Sequence, residues 1–240
     1  MSTITAEHTV GELVAEQPGR SRVFEAHRID YCCGGKRPLA EACEKKGVAV
    51  EAILEELAQA DQQGLADDPT DYSTMALDAL ADHIVDTHHA YLGRELPRLL
   101  AMAEKVAKVH GDKDARLAEV AAVMRGLAEE LEAHMMKEER VLFPGIRMLV
   151  QSDGLPAMPC GTLAHPISVM EAEHDDAGNA LEALVRLTDG YTPPDWACNT
   201  YRALLDGLAD LELDLHQHIH KENNILFPRA IAEEQRRTEA

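Results

Sequence analysis

Apolar residues recur at intervals of three and four along nearly all of the chain beyond residue 74, the spacing of amphipathic helices with one buried face. The pattern predicts a helix over 75–108, kinked at Pro97, and a second over 115–148 with Pro144 near its end. A third is predicted over 167–188, and a fourth over 196–234 with Pro228 placed as Pro144 is in the second. Gly111-Asp112-Lys113, the proline-bearing stretch 152–166 and the stretch 189–195 interrupt the period and read as connections. Four long helices joined by connections that reverse the chain make an up-down-up-down bundle.

The first sixty residues have shorter apolar runs, which predict a small helical unit. Thr9, followed three residues later by Glu12, is a capping box that opens one helix, and Pro18-Gly19 closes it. A second short helix is expected over 21–27. The phrase Tyr31-Cys32-Cys33-Gly34-Gly35-Lys36 reads as a turn whose glycines permit unusual backbone angles. Pro38 suits the first turn of a helix that runs through Glu44 and stops at Gly47, and a last helix is expected over 50–60. The polar stretch 62–73, with Gly64 and Pro69, marks a linker. The expected organisation is all-α: a small helical domain over 1–60, a linker over 61–74 and a four-helix bundle over 75–240.

Composition narrows the partners. A hydrophobic share of 45% is that of a globular protein. The formal charge of −20, from 43 acidic and 23 basic residues, repels nucleic acid and anionic lipid, so neither is an expected partner. No basic and apolar leader opens the chain, and no apolar run reaches the roughly 18 residues of a membrane span, so none is expected. Five cysteines, two of them adjacent, do not form a secreted disulfide framework and point to a reducing cytoplasm. Cys43, Cys160 and Cys198 read as ordinary buried or loop residues.

The chemistry lies in a repeated phrase. His134-Met-Met-Lys-Glu138 leads into Leu142-Phe143-Pro144, and His218-Ile-His-Lys-Glu222 leads into Leu226-Phe227-Pro228. Both copies read His-x3-Glu-x4-Phe-Pro, and they hold two of the chain's three phenylalanines. The repeat extends upstream, because His89 lies 45 residues before His134 and His174 lies 44 before His218. On a helix, His and Glu four apart share one face and can reach one point. Each of the four helices then supplies at least one of His89, His134, Glu138, His174, His218 and Glu222, which is how bundles build metal sites in their cores. Val85, Leu92 and Leu96 beside His89, Leu131, Val141 and Leu142 beside the first pair, and Leu211, Leu215, Ile225 and Leu226 beside the second predict that these faces turn inward. Two divalent ions would offset the glutamates, with an oxide or hydroxide bridge supplying the remaining charge. Imidazole with carboxylate suits iron, manganese or zinc on ligand type alone. The His-x3-Glu order and the small number of carboxylates differ from ferritin-like sites, which use Glu-x2-His.

A second phrase stands apart. Cys32 and Cys33 are adjacent and cannot readily pair with each other without straining the peptide between them. Backbone N–H groups of the glycine turn, with Lys36 and Arg37, are expected to lower the thiol pKa and leave reactive thiolates. Two small residues packed in a turn is the plainer alternative.

The His-x3-Glu constellation with its Leu-Phe-Pro tails resembles the hemerythrin-like domain. Together with Asp30-Tyr31-Cys32-Cys33-Gly34-Gly35-Lys36 and Glu222-Asn223-Asn224-Ile225-Leu226-Phe227-Pro228-Arg229, it makes almost the whole chain similar to the RIC family, the iron-sulfur cluster repair di-iron proteins. The resemblance implies two non-haem iron ions with an oxo or hydroxo bridge, held by the six residues above, with Glu138 and Glu222 bridging. It matches Cys32 and Cys33 to the family's cysteine pair, in a domain that would handle iron or serve docking. It implies a cytoplasmic stress protein whose clients are iron-sulfur proteins damaged by oxidants or nitric oxide. With no fifth histidine at a matching place, the site departs from the oxygen-carrying hemerythrins and is expected to be more open. The alternatives are a di-iron nitric oxide reductase producing nitrous oxide, and a sensor of oxygen or nitric oxide. A homodimer exchanging N-terminal domains is a further arrangement the sequence allows.

Overall fold

The computed structural model describes residues 4–63, 70–152 and 161–239. Part of the expected linker (64–69), part of the expected loop (153–160) and Cys160 lie outside them. The described residues form an all-α, hemerythrin-like bundle with a small N-terminal helical domain, and they fall into two compact units. One unit comprises Ala81–Leu215; the other comprises Met1–Leu80 and His216–Ala240.

The Ala81–Leu215 unit is the bundle. Its helices are α6 (Ala90–His110), α7 (Arg116–Lys137), α9 (Ala164–Leu187) and the stretch of α10 (Asn199–Lys221) up to Leu215, with α8 (Phe143–Gln151) continuing from α7. The core repeats at alternating steps of three and four. Leu92, Leu96, Leu99, Ala103 and Val106 line α6, and Leu117, Val120, Met124, Leu127 and Leu131 line α7. Each fully buried leucine contributes about 2 kcal/mol of transfer free energy. α9 begins at Ala164 rather than near residue 167, so part of the expected loop is helix. Pro166 is tolerated there because N–H groups of a first turn have no intrahelical acceptor to lose. Pro97 lies inside α6 without ending it.

In the other unit, α1 (Val10–Glu16), α2 (Ser21–Ala26), α3 (Leu39–Lys46) and α4 (Val50–Gln63) enclose a second core of Val10, Leu13, Phe24, Tyr31, Leu39, Ile53 and Leu57. The expected capping box forms: the Thr9 hydroxyl accepts from the Glu12 N–H, and the Glu12 carboxylate accepts from the Thr9 N–H at 3.1 Å. Gly47, with φ of 69°, ends α3 in the left-handed conformation that glycine reaches without penalty. Buried Arg20 ties the unit together, donating to both carboxylate oxygens of Asp61 at 2.9 and 2.8 Å and to the Leu13 carbonyl at 3.0 Å. Within the expected linker, Tyr72 is buried. Lys221 lies over its ring at 4.5 Å, and Arg229 donates to its carbonyl at 3.2 Å.

Among the described residues, three helices contain one widened, π-helical turn each, at Val85–His89, Glu138–Leu142 and Glu222–Leu226. The last two have one cause. Pro144 and Pro228 carry no N–H, so the helix cannot close its usual bond at those residues. The preceding N–H instead reaches one residue further back: Phe143 donates to the Glu138 carbonyl, and Phe227 to the Glu222 carbonyl. α8 and α11 (Phe227–Thr238) then continue with proline in their first turn, where it is favoured.

Candidate metal centre

The candidate ligands continue the apolar stripes. In the steps of three and four that carry the leucine core, Leu127 and Leu131 are followed by His134 and Glu138, and Leu211 and Leu215 by His218 and Glu222. His174 sits between Met170 and Ala177, and His89 precedes Leu92 and Leu96. All six side chains are buried, and Glu138 and Glu222 are 0% exposed. Val141 differs from expectation, since it points outward at 49% exposure. The widened turn brings Leu142 and Phe143 over Glu138 in place of Val141 and Leu142.

In the bundle unit, four of the six come together. Glu138 Oε2 lies 3.2 Å from His89 Nε2 and 3.3 Å from His134 Nε2, and His174 Nε2 lies 3.1 Å from His134 Nε2. The outer nitrogens of two rings are held by carboxylates: His89 Nδ1 by Glu139 at 2.9 Å and His134 Nδ1 by Glu173 at 2.9 Å. A carboxylate there keeps the proton on Nδ1 and aims the Nε2 lone pair inward. Each Nε2 lone pair then lies within 3.3 Å of one Glu138 oxygen, and neither oxygen of Glu138 accepts a hydrogen bond among the described residues. A buried carboxylate so placed is costly unless a cation sits beside it. The donor set therefore fits a metal ion of the kind that imidazole and carboxylate bind. Phe143 stacks on the His89 ring with centroids 5.8 Å apart, so the Phe-Pro tail also covers a ligand.

Glu139 and Glu173 are functional neighbours that the sequence reading missed. Each directly adjoins a predicted ligand, but on acid-rich helices adjacency is a weak signal. Glu173 is held below the ordinary carboxylate range: burial pushes it up, and hydrogen bonds from Lys137 and His134 outweigh that. His88, adjacent to His89, is also buried, yet its Nδ1 faces Asp214 at 2.9 Å and its ring meets His83 edge-on.

In the other unit, His218 Nε2 lies 3.2 Å from Glu222 Oε1, nearly the separation of His134 and Glu138. His216 and His220, two residues to either side of His218, face elsewhere. His216 Nδ1 meets Glu25 at 2.9 Å, and both rings contact Tyr31 edge-on. Burial pushes the His220 imidazole down to about 4, so it is neutral near pH 7.

The same unit holds the cysteine turn. Asn224, two residues beyond Glu222, donates to the carbonyls of Tyr31 at 3.2 Å and Cys32 at 3.0 Å. Gly11 and Gly35 leave room for it, since a Cβ on either would meet Asn224 Oδ1 at 2.5 or 2.1 Å. The expectation of a lowered thiol pKa is corrected for Cys32. Its thiol is pushed well up, first by its hydrogen bond to Cys33, then by burial and by the charges of Cys33 and Asp30. The backbone N–H groups that would have stabilised a thiolate go to Asp30 instead, from Cys32 at 3.1 Å and Gly34 at 2.9 Å. Cys43 is buried and Cys198 is exposed, its sulfur 3.2 Å from His110.

Comparison with known proteins agrees with this architecture. Residues 80–230 match the hemerythrin HHE cation binding domain, and residues 6–61 match ScdA_N, a domain of unknown function (DUF542). The iron-sulfur cluster repair protein YtfE of Enterobacter sp. (strain 638) is 45% identical over 235 residues, covering 95% of this chain and 98% of the relative. Proteins of the same name from Citrobacter koseri and Escherichia coli O157:H7 are 43% and 42% identical over 228 residues, with the same coverage. The chain belongs to the RIC family of iron-sulfur cluster repair proteins, which join an ScdA_N domain to a hemerythrin HHE domain.

Proposed function

We propose that His89, His134, Glu138, His174, His218 and Glu222 together hold a non-haem di-iron centre, bridged by Glu138 and Glu222. The protein uses it in the repair of iron-sulfur clusters damaged by oxidative or nitrosative stress, by releasing or transferring iron to client proteins. The observation that carries this reading is the matched pair of His–Glu geometries, 3.3 and 3.2 Å, each buried and each opening a π-helical turn. When bound, iron supplies an exchangeable, redox-active cation. The chain's own residues do the remaining work. Glu139 and Glu173 keep protons on the outer imidazole nitrogens, and the leucine layers exclude bulk water. With only two carboxylates among the six ligands, the site favours release over permanent retention. We also assign residues 1–60 to the ScdA_N-type domain, 61–74 to a linker and 75–240 to the bundle, and place the protein in the cytoplasm. Among the described residues no helix is long and apolar enough to cross a membrane.

The test is transfer. Protein loaded with labelled iron and mixed with an apo-cluster protein is expected to deliver the label and restore the cluster, and Glu138→Leu is expected to fail. Catalytic formation of nitrous oxide from nitric oxide with no label delivered would overturn repair in favour of an enzyme.

A further inference from the structure

The cysteine turn holds a donor set that the histidine–glutamate centre does not use. Asp30, Cys32 and Cys33 offer one carboxylate oxygen and two sulfurs, all within 4.8 Å of one another. The sulfurs are 3.9 Å apart and neither is in a disulfide. That separation is far beyond a disulfide bond of about 2.05 Å. It matches the bite of a metal, because two sulfurs each about 2.3 Å from a tetrahedral ion stand about 3.8 Å apart. Cys32 Sγ lies 3.3 Å from Asp30 Oδ1, which fits the same ion with its carboxylate oxygen at about 2.0–2.2 Å.

The shape is built by the backbone. N–H groups of Cys32 and Gly34 clamp the two oxygens of Asp30 and so fix the carboxylate beside the sulfur. Gly34 permits the clamp, since a Cβ there would lie 2.8 Å from Asp30 Oδ2. Asn224 holds the carbonyls of Tyr31 and Cys32 from outside the turn. Cys32 is buried, whereas Asp30 and Cys33 are part-exposed, so the donors are reachable from solvent. The Cys32 thiol hydrogen-bonds to both Asp30 and Cys33, and a metal ion would take the place of its proton between the same donors. A structural zinc site closes with four protein ligands, and three are present here.

We propose that Asp30, Cys32 and Cys33 form a second metal site, distinct from the histidine–glutamate centre, which takes one thiophilic divalent ion in a two-sulfur, one-oxygen donor set. Only the identity of its cargo, ferrous iron in transit, rests on the repair reading. Binding replaces each S–H bond with a metal–sulfur bond and releases the two protons to water, with no change of oxidation state. Three protein donors leave a coordination position for an incoming ligand, as a transfer site requires and a structural site does not.

The test uses full-length protein with iron already loaded into the histidine–glutamate centre, titrated anaerobically with cobalt(II) as a coloured stand-in for iron(II). About one equivalent of cobalt is expected to bind with a thiolate-to-cobalt charge-transfer band. Cys33→Ser should abolish the band. Asp30→Asn should weaken cobalt binding about tenfold or more, the loss that follows even from removing a residue that merely supports a ligand. Iron content and helical circular dichroism should be unchanged in both variants. Absence of the band in folded wild-type protein at saturating cobalt overturns the proposal, as does a band that survives Cys33→Ser. The two readings fail separately: a cysteine-dependent band in protein that takes up no iron sinks the di-iron centre and leaves this site standing.

Discussion

In the first copy of the repeated phrase, Glu138 is followed by Glu139, whose carboxylate holds the His89 ring at 2.9 Å. In the second, Glu222 is followed by Asn223 and Asn224, and Asn224 holds the backbone of the cysteine turn. Otherwise the copies agree closely. Each has a buried His–Glu pair at 3.3 or 3.2 Å, a phenylalanine N–H closing a π-helical turn on the glutamate carbonyl, and a proline just beyond. The shared parts are those that build a ligand pair. The parts that differ are those that meet different neighbours, so one helical device serves two surroundings.

The widest test of this comparison is to remove the glutamates. Glu138→Leu and Glu222→Leu are each expected to lose the iron pair, because the proposed centre takes one carboxylate from each copy. Iron analysis after gel filtration measures this, and loss in one variant alone would make the copies inequivalent. A smaller change separates them. Glu173→Gln should weaken iron binding by about tenfold or more, since it supports a ligand without being one, as competition with a chelator would show. Asn224→Ala should leave the iron content of the bundle unchanged and cost about 1–3 kcal/mol of stability, because two backbone carbonyls lose their donor. Urea unfolding reads that cost, and an equal loss of iron in Asn224→Ala and Glu173→Gln would erase the distinction.

The smallest effect is one of pH. The Glu173 carboxyl sits below its ordinary value of 4.5 when folded. Its ion pair with Lys137 and its hydrogen bond from His134 therefore add stability above that value, and the gain is lost as pH falls through the lowered folded value. At 30% side-chain exposure the contribution is screened, to about 1 kcal/mol or less. Metal-free Glu173→Gln should accordingly show a shallower loss of stability in acid than the metal-free parent, measured by thermal unfolding across pH.

Much of this was legible in the chain. The six buried residues stood out because one phrase occurs twice and because they continue leucine stripes in steps of three and four. The capping box at Thr9 and the stop at Gly47 are local signals that tertiary structure did not override. Two of the π-helical turns follow from Phe-Pro after each glutamate, yet only the missing N–H shows in the sequence, not the bond that replaces it. Val141 departs from expectation for that reason, because the wider turn rotates it outward. The Cys32 thiol departs from expectation because Lys36 and Arg37 show in the sequence, whereas the hold of Asp30 on the turn does not. Asp30 captures the N–H groups of the turn and sets its own charge against Cys32. Glu139 and Glu173 do not stand out among 43 acidic residues, and only geometry shows that they face His89 and His134.

The central claim is that two copies of one phrase build a single iron pair. Mössbauer spectroscopy with iron analysis, on protein purified anaerobically and then oxidised, tests it most directly. The account predicts about two irons per chain, antiferromagnetically coupled, in the parent and absent from Glu138→Leu and Glu222→Leu. Two tightly held irons in both variants, or zinc alone with no iron taken up on reconstitution, would contradict it.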